Sequence, residues 1–268
     1  MKLPTGRSGS FSPERARITA SATAVRNLAK CVQSANVKID ELVAASLASA
    51  EAVLSETERE LGVAVVDIGA GTIDLALFLD GQAYKTAVLP VGGNNVTNDV
   101  AIGLKTTLQV AEELKIQHGS CDLSTVRPDD MVSVSMLGEA AGRTISRMEI
   151  CQIIEARMRE TFELLRAEIR MAGEGMLPAG VVLTGGAAQL GGAAALGREV
   201  LDMPVRVAGP SDVGGLTDNI LNPAYSTAIG LLLWGARSLE GADSSRYESA
   251  PAGGAVGRAR DALRHLFP

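Results

Sequence analysis

The chain has 268 residues, a formal net charge of −6 at pH 7 and a hydrophobic fraction of 46%. This length and composition are enough to bury a sizeable core, so we expect one large or two small globular domains and not an intrinsically disordered chain. The negative charge and the aromatic fraction of only 3% argue against nucleic acid as a partner, because phosphate-backbone binding needs clustered Lys and Arg and base stacking needs aromatic rings.

The N-terminal part of the sequence predicts a leader followed by two helices. Residues 1–17 are rich in Ser, Pro, Gly and Arg and lack an apolar stretch, so we expect a disordered leader and no signal peptide. The segment ITASATAVRNLAKCVQSAN places its apolar residues along one helical face behind a Ser or Thr cap. The segment IDELVAASLASAEAVLSETERELG then predicts a short apolar stretch and a second helix that ends at Gly62.

The middle of the sequence predicts three consecutive strands and then mostly helices. VAVVDI, from Val63, is an almost uninterrupted apolar run, which is typical of a central strand covered on both faces. TIDLALFL alternates with period two, and Asp80-Gly81 predicts a type I′ hairpin turn before QAYKTAVLPV. Beyond these strands, GNNVTNDVAIGLK and TTLQVAEELKIQHG predict two helices, VSVSML a lone strand, and ISRMEICQIIEARMRETFELLRAEIRMAG a long amphipathic helix.

The last third of the chain predicts a second core strand and an apolar helix. GVVLTGG at 180–186 is followed by a helix that we expect to begin near Gln189, then by the strand VRVA after Pro204 and by the helix YSTAIGLLLW at 225–234. The polar stretch SLEGADSSRYESAPAGGAVG predicts a tether rich in Gly, Ala and Ser, after which the chain closes with GRARDALRHLFP. Strands alternating with helices predict an α/β protein.

The turn in VDIGAGTID has the composition of a phosphate-binding loop. Gly69 and Gly71 allow a phosphate to approach backbone amides, and Thr72 adds a hydroxyl donor. Asp67 suits the hydrated Mg²⁺ that accompanies ATP, since Mg²⁺ keeps several waters and takes few direct protein ligands. Asp67 or Asp74 can also orient an attacking water. A plain hairpin turn between two strands has the same composition, so the turn alone leaves both interpretations open.

A second glycine turn follows the second core strand. LTGGAAQLGG places Gly185 and Gly186 between a buried strand and a predicted helix. Ligands meet backbone amides at such a point, although close packing of the helix on the strand also requires glycine there.

The stretches VDIGAGTID, AEELK, LTGGAAQ and YSTAIGLLLWG, in this order, resemble the second half of the actin, sugar kinase and Hsp70 ATPase superfamily. Among its members they most closely resemble bacterial cell-division FtsA. VAVVDIGAGTIDLALF is similar to that family's second phosphate loop, LASAEAVL to its first connecting helix, LTGGAAQLGG to its adenosine loop and YSTAIGLLLWG to its second connecting helix. The resemblance covers about residues 18–238 and implies an actin-like, ribonuclease H-like fold with a mixed sheet flanked by helices.

The resemblance also implies the cofactors and the site. The cofactors implied are ATP and Mg²⁺. Asp67 is the residue expected to meet the Mg²⁺ through water, and it is also the candidate catalytic residue. In GNNVTNDVAIGLKTTLQVAEELKIQHG it implies that Glu112 and Lys115 lie over the ribose and the adenine, and the alternative is an ordinary solvated pair spaced i,i+3. The cofactor-binding residues implied are Asp67, Gly69, Gly71, Thr72, Glu112, Lys115, Gly185 and Gly186.

The sequence departs from the family pattern at its start. Family members open with a first phosphate hairpin and then a small domain, and residues 1–17 offer no strand of that kind. We therefore expect a truncated N-terminus, an incomplete first lobe with exposed apolar surface, and a whole second lobe. Each missing charge-assisted hydrogen bond costs about 1.5–3 kcal/mol, so we expect weak nucleotide binding and weak or absent hydrolysis.

The resemblance implies a division of the chain into six parts. They are 1–17 as leader, 18–50 as the remnant of the first lobe, 51–96 with 181–237 as the nucleotide-binding core of the second lobe, 97–180 as its inserted subdomain, 238–256 as a flexible linker and 257–268 as a membrane-targeting helix.

The C-terminal segment GRARDALRHLF predicts a short amphipathic helix with a narrow apolar stripe and basic flanks. Such a helix behind a tether suits a membrane interface, and FtsA-like proteins end in one. The apolar side is small, so binding is expected to rely on anionic lipid or on many linked copies. A frayed tail or a helix docked on its own domain are the alternatives. The membrane-binding residues implied are Arg258, Arg260, Leu263, Arg264, Leu266 and Phe267.

Two functions compete on this reading of the sequence. The first is an FtsA-like adaptor that links FtsZ polymers to the cytoplasmic membrane at the division septum, with ATP binding regulating self-association and residues 97–180 meeting FtsZ. The alternative is an actin-like ATPase of pilus assembly or of chaperone type that hydrolyses ATP. The tether and the basic amphipathic tail favour the adaptor, since a soluble ATPase has no use for them.

Overall fold

The computed structural model describes residues 18–134, 143–173, 176–211 and 218–247. The residues up to Leu231 form one compact unit, which contains both sheets, and those from Leu232 form a second unit, of which the rest of the last helix is described. The elements in chain order are α1 (Ala22–Ser34), α2 (Ala45–Val53), α3 (Glu56–Leu61), β1 (Val63–Ile68), β2 (Ile73–Leu79), β3 (Gln82–Leu89), α4 (Gly93–Leu104), α5 (Leu108–His118), β4 (Met131–Val134), β5 (Arg143–Ser146), α6 (Arg147–Gly173), β6 (Val181–Thr184), α7 (Ala193–Leu201), β7 (Val205–Val207) and α8 (Ser226–Tyr247).

A five-stranded mixed sheet organises the fold, with the strand order β3-β2-β1-β6-β7. The three strands β1, β2 and β3 are antiparallel neighbours, whereas β1 pairs with β6, and β6 with β7, in parallel. Asp80 and Gly81 both have positive φ angles, 50° and 77°, as the predicted type I′ turn requires. The predicted α/β architecture with a mixed sheet flanked by helices is confirmed.

Helices cover both faces of the sheet. All six residues of β1 are buried, as expected for a central strand. Alternate residues of β1, including Ala64 and Val66, share a core with buried residues of α4, α6 and α7, while α2 contacts β1 and β2. The amphipathic pattern of α6 is confirmed, because its core residues recur at helical spacing and each contributes about 1.5–3 kcal/mol on burial. These α6 residues are Ile150, Ile154, Met158, Phe162, Leu165 and Ile169.

Two of the predicted elements are wrong in detail near their ends. The helix predicted to run to Gly62 is broken at Ser55, whose side chain and that of Glu58 form a capping box that starts α3. This reciprocal bonding stabilises a new helix start more than it would a continuing turn. The strand predicted as lone is β4, which pairs with β5; residues 135–137 of that prediction lie outside the described residues.

Two further predictions differ from the structure after β6. Residues 186–189 form a single 3-10 turn, and the helix expected near Gln189 begins at Ala193, behind Gly192 with its positive φ of 77°. Residues 238–247, predicted as part of a flexible linker, continue α8. The helix already begun at Ser226 can continue through this stretch, because adding a residue to an existing helix avoids the cost of nucleation.

The helix α1 is amphipathic but carries no buried residue. The side chain of Leu28 is 58% exposed. Around this helix, Ile18, Val37 and Leu42 are also exposed. The first described segment therefore presents apolar surface to solvent, as expected from the sequence. Within the described residues, no helix has both the length and the hydropathy needed to cross a membrane.

The helices α2 and α8 cross at very short distance. A Cβ atom added at Gly230 would lie 1.7 Å from the carbonyl oxygen of Ala48. Only glycine allows this approach, because the obstructing atom belongs to the backbone of α2 and cannot rotate away.

We predict that Gly230→Ala destabilises the protein by about 2 kcal/mol or more, because the two helices must separate. Urea unfolding followed by circular dichroism measures the loss. The matched control is Gly235→Ala on the same helix, where an added Cβ meets no described atom within 4 Å and where Ala should stabilise the helix by up to about 1 kcal/mol. Equal stability of the two variants would contradict the close crossing.

Candidate functional site

The two glycine turns predicted from the sequence leave the sheet at the same edge. Because β1 and β6 are parallel neighbours, Asp67 lies directly opposite Thr184 in the register. The β1–β2 turn therefore begins beside the turn that follows β6. In parallel sheets the carboxyl ends of the strands form such shared edges, which is where ligands bind in α/β proteins.

The N-terminus of α4 is fastened to the first of these turns. The amide of Gly93 donates to the carbonyl of Gly69 (2.9 Å), and the amide of Asn94 donates to that of Ala70 (2.8 Å). Gly92 is required for this contact, because a Cβ there would lie 2.6 Å from the Ala70 oxygen. The first turn of α4 thus forms one wall beside the glycine turn.

A cavity of about 520 Å³ opens between these segments, a volume within the usual range for small-molecule sites. Glycines and small residues from the two turns line one side, and α5 contributes Glu112, Lys115 and Ile116. The described lining residues are Gly69, Ala70, Gly93, Asn94, Glu112, Lys115, Ile116, Gly119, Gly186, Ala187, Gln189, Leu190 and Gly191.

Lys115 is the main charged group of the cavity. Its ammonium group is buried, with 7% of the residue exposed. Its Nζ pairs with Glu112 (2.7 Å) and donates to the Thr97 hydroxyl (2.9 Å) and the Gly93 carbonyl (3.2 Å). The alternative of an ordinary solvated pair is therefore wrong, because a lysine is buried in this way only when its charge and donors are satisfied.

Glu112 completes this cluster on the more exposed side of α5. Burial would raise the pKa of its carboxyl group, but hydrogen bonds from Lys115 and Thr97, together with the Lys115 charge, outweigh it and lower the pKa below the ordinary 4.5. The carboxylate thus remains an acceptor at the mouth of the cavity at neutral pH.

Asp67, at the end of β1, is nearly buried, with 9% of the residue exposed. Its Oδ2 accepts hydrogen bonds from the hydroxyls of Ser49 on α2 (2.6 Å) and Thr227 on α8 (2.7 Å). The neighbouring Asp74 accepts a bond from Thr72 (3.2 Å). Burial raises the pKa of Asp74, and the nearby Asp67 raises it further, while the bond from Thr72 opposes both.

Half of the predicted cofactor residues line the cavity. They are Gly69, Glu112, Lys115 and Gly186. Gly71 and Thr72 are exposed on the far part of the first turn, and Gly185 is buried against Asp67 and Ile68 with a φ of 88°. These three and Asp67 are not among the described lining residues. The predicted membrane-binding residues, in 257–268, lie outside the described residues.

Sequence reasoning missed Gly93, Asn94 and Gln189 as lining residues and Ser49 and Thr227 as partners of Asp67. A signal existed for each group. The run GGNN close after β3 predicted a helix cap, and glycines at a helix start allow it to pack closely against a neighbouring turn. Ser49 and Thr227 are hydroxyl residues inside otherwise apolar helices, where a buried hydroxyl needs a partner.

The cavity suits a nucleotide better than it suits a directly bound metal. Two glycine turns line the cavity together with the start of α4, and Lys115 and Glu112 lie beside that helix start. Among the described residues, no group of three or more His, Cys, Asp or Glu side chains converges on a metal site. A cation that accompanied a nucleotide would have water and the ligand itself as its main oxygen donors.

The fold and this cavity together define an actin-like ATPase fold. The crystal structure of MreB5 of Spiroplasma citri bound to ADP matches with a TM-score of 0.64 at 16% identity, over 86% of this chain and 69% of that one. Likeness at this identity establishes the fold alone.

Sequence comparison goes further, and the chain belongs to the family of cell division protein FtsA, whose sequence profile matches residues 64–230. The cell division protein FtsA of Pseudomonas aeruginosa is 42% identical over 237 residues, which cover 88% of this chain and 57% of that protein. The FtsA of Escherichia coli K12 is 39% identical over 278 residues, covering 100% of this chain and 66% of that protein. The chain thus spans less than two thirds of these relatives.

We predict that the pair of Glu112 with Lys115 gives a pH-dependent contribution to stability. Because the folded-state pKa of Glu112 is lowered, this contribution is present above the unfolded pKa and is lost as the pH falls from about 5 to 3. Since the side chain is 42% exposed, screening limits it to less than about 1 kcal/mol. Urea unfolding of Glu112→Gln against the wild type measures it.

The expected result is a less stable Glu112→Gln variant at pH 7 and equal stabilities near pH 3. Glu113→Gln is the matched control, because it removes a charge from the exposed side of the same helix. A deficit of Glu112→Gln that does not change with pH would contradict the role of the ionised pair.

Proposed function

We propose that this chain is an FtsA-type adaptor, which links FtsZ polymers to the cytoplasmic face of the membrane at the division septum. In this proposal ATP binding regulates the self-association of the chain. Membership of the FtsA family supports the division role. The observation that carries the nucleotide role is the cavity shared by the Gly69 and Gly186 turns, which Lys115 also lines.

ATP is the proposed ligand, with Mg²⁺ held through water. The glycine turns can bring amides to the phosphates without obstruction by side chains, because neither Gly69 nor Gly186 carries a Cβ. In this proposal Glu112 and Lys115 lie over the ribose and the adenine, with the lysine paired to the carboxylate. The actin-like protein MreB5, whose fold this chain shares, is described as bound to ADP, which supports the same class of ligand here.

We further propose that nucleotide serves as a signal more than as a substrate. General-base chemistry needs a carboxylate within direct hydrogen-bond reach of the attacking water at the phosphate end of the ligand. Asp67 has one oxygen engaged by two hydroxyls, and Asp74 is engaged by Thr72. Neither is among the described lining residues. The position of these two carboxylates is consistent with weak or absent hydrolysis. Weak hydrolysis in turn favours the adaptor over an ATPase of pilus assembly or chaperone type.

The two partners are assigned to different parts of the chain. The basic amphipathic sequence at 257–268 supports peripheral binding to anionic lipid. The subdomain at 97–180 is proposed to meet FtsZ, and its described part exposes large apolar side chains of the kind that protein interfaces bury. Those side chains include Ile102, Leu108 and Met131.

We predict that the purified chain floats with vesicles that contain phosphatidylglycerol, and that it carries FtsZ polymers with them to the top of a density gradient. Deleting residues 257–268 should leave both proteins at the bottom, because the chain then lacks its apolar stripe and basic flanks. A matched control replaces only Arg258, Arg260 and Arg264 with Gln, which should weaken flotation and remove its salt dependence.

Flotation of the deleted chain at the wild-type level would refute the membrane assignment. Flotation of the intact chain without FtsZ would refute the linking role and leave lipid binding in place.

A further inference from the structure

The hydroxyls of Ser49 and Thr227 fix one end of the Asp67 carboxylate. Both donate to the same atom, Oδ2, at 2.6 and 2.7 Å, and the two hydroxyl oxygens are 2.8 Å apart. Ser49 is fully buried. Two donors on one oxygen, each from a different helix, hold the plane of the carboxylate as well as its position.

The other oxygen of Asp67 faces the second glycine turn. Among the described residues Oδ1 has no hydrogen-bond donor, and a Cβ at Gly185 would lie 2.3 Å from it. Gly185 directly precedes Gly186, which lines the cavity. Oδ2 therefore accepts from both hydroxyls, whereas Oδ1 remains a free acceptor beside the second glycine turn.

The start of α8 also holds the second turn. Ser226 shares a hydrogen bond of 2.6 Å with Thr184 at the end of β6, and the Gly185 amide donates to the Pro223 carbonyl just before the helix (3.1 Å). Ser226 and Thr227 are consecutive, yet the first contacts the β6 end and the second contacts Asp67. This division of roles lets the two hydroxyls be tested separately.

We propose that Ser49 and Thr227 are positioning residues of the nucleotide site, which hold Oδ1 of Asp67 as an acceptor for the water shell of the cation bound with the nucleotide. This inference rests on the proposed function, because it assumes that the cavity binds ATP. Hydrated Mg²⁺ binds proteins largely through its waters, which need oriented acceptors. If the carboxylate could rotate freely, part of its contribution to the binding free energy would be offset by the entropy cost of fixing its orientation.

The test is the magnesium dependence of ATP affinity, measured by isothermal titration of the whole chain in Mg²⁺ and in EDTA. In the wild type, ATP should bind more tightly in Mg²⁺. In Ser49→Ala and Thr227→Val the ratio of the two dissociation constants should fall by about fivefold or more, since one hydrogen bond to a charged acceptor changes an equilibrium by about tenfold. Affinity in EDTA should change by less than about twofold, because backbone amides at the turns are untouched.

Three controls separate positioning from loss of structure. Ser46→Ala removes a buried hydroxyl from α2, and Ser226→Ala removes one from α8; both should retain the wild-type ratio. Thr227→Ser keeps the donor and should restore it. If Ser49→Ala does not fold, the comparison of Thr227→Val with Thr227→Ser decides the matter alone.

The outcomes are distinct for the two proposals. Wild-type binding with an unchanged ratio in Thr227→Val, or an equal fall in Ser226→Ala, overturns the positioning role and leaves the nucleotide site standing. Failure of the wild-type chain to bind ATP in either condition overturns both.

Discussion

The parallel pairing of β1 with β6 is the constraint on which the rest of the structure depends. It brings Asp67 opposite Thr184, although these residues lie far apart in the chain, and so starts both glycine turns at one edge of the sheet. Without this pairing, each turn would be an ordinary bend between elements. With it, both turns and the start of α4 line a single cavity, and the ends of both strands come within reach of α8.

The two sides of this edge have different physical characters. On the cavity side, glycines leave the backbone uncovered, and Lys115 is the buried charge, satisfied by Glu112, Thr97 and Gly93. On the rear side, α2 and α8 approach closely at Gly230 and supply hydroxyls to Asp67. Buried polar groups are tolerated here because they are hydrogen-bonded, and every fully enclosed side-chain nitrogen or oxygen among the described residues has a partner.

Features with local signals could be predicted from the sequence. The Asp80-Gly81 turn depends on two residues that tolerate positive φ, and α6 depends on the spacing of its apolar residues, so both are visible in short windows. The break at Ser55 was also visible as Ser-x-x-Glu but was outweighed by the helical pattern around it. The continuation of α8 to Tyr247 shows that a helix already begun can extend through a polar stretch that composition alone suggests is a tether.

Features that depend on tertiary partners could not be predicted in this way. The burial of Lys115 arises from contacts with α4, so a sequence window that shows only Glu112 three residues earlier suggests a solvated pair. The contacts of Ser49 and Thr227 with Asp67 arise because α2, β1 and α8 converge; a hydroxyl in an apolar helix signals a partner, but the sequence around it does not say which one. The predicted cofactor-binding residues came from the glycine turns and from family resemblance, and four of the eight lie around one cavity.

The turns at 69–72 and 185–191 are proposed to bind one nucleotide in the cavity that they share. Amide hydrogen exchange, measured by mass spectrometry with and without saturating ATP and Mg²⁺, tests it most directly. If both turns bind the nucleotide, amide exchange slows in both of them together, while exchange in the exposed helix α1 is unaffected. Protection of one turn without the other, or only of segments outside the cavity, would contradict it.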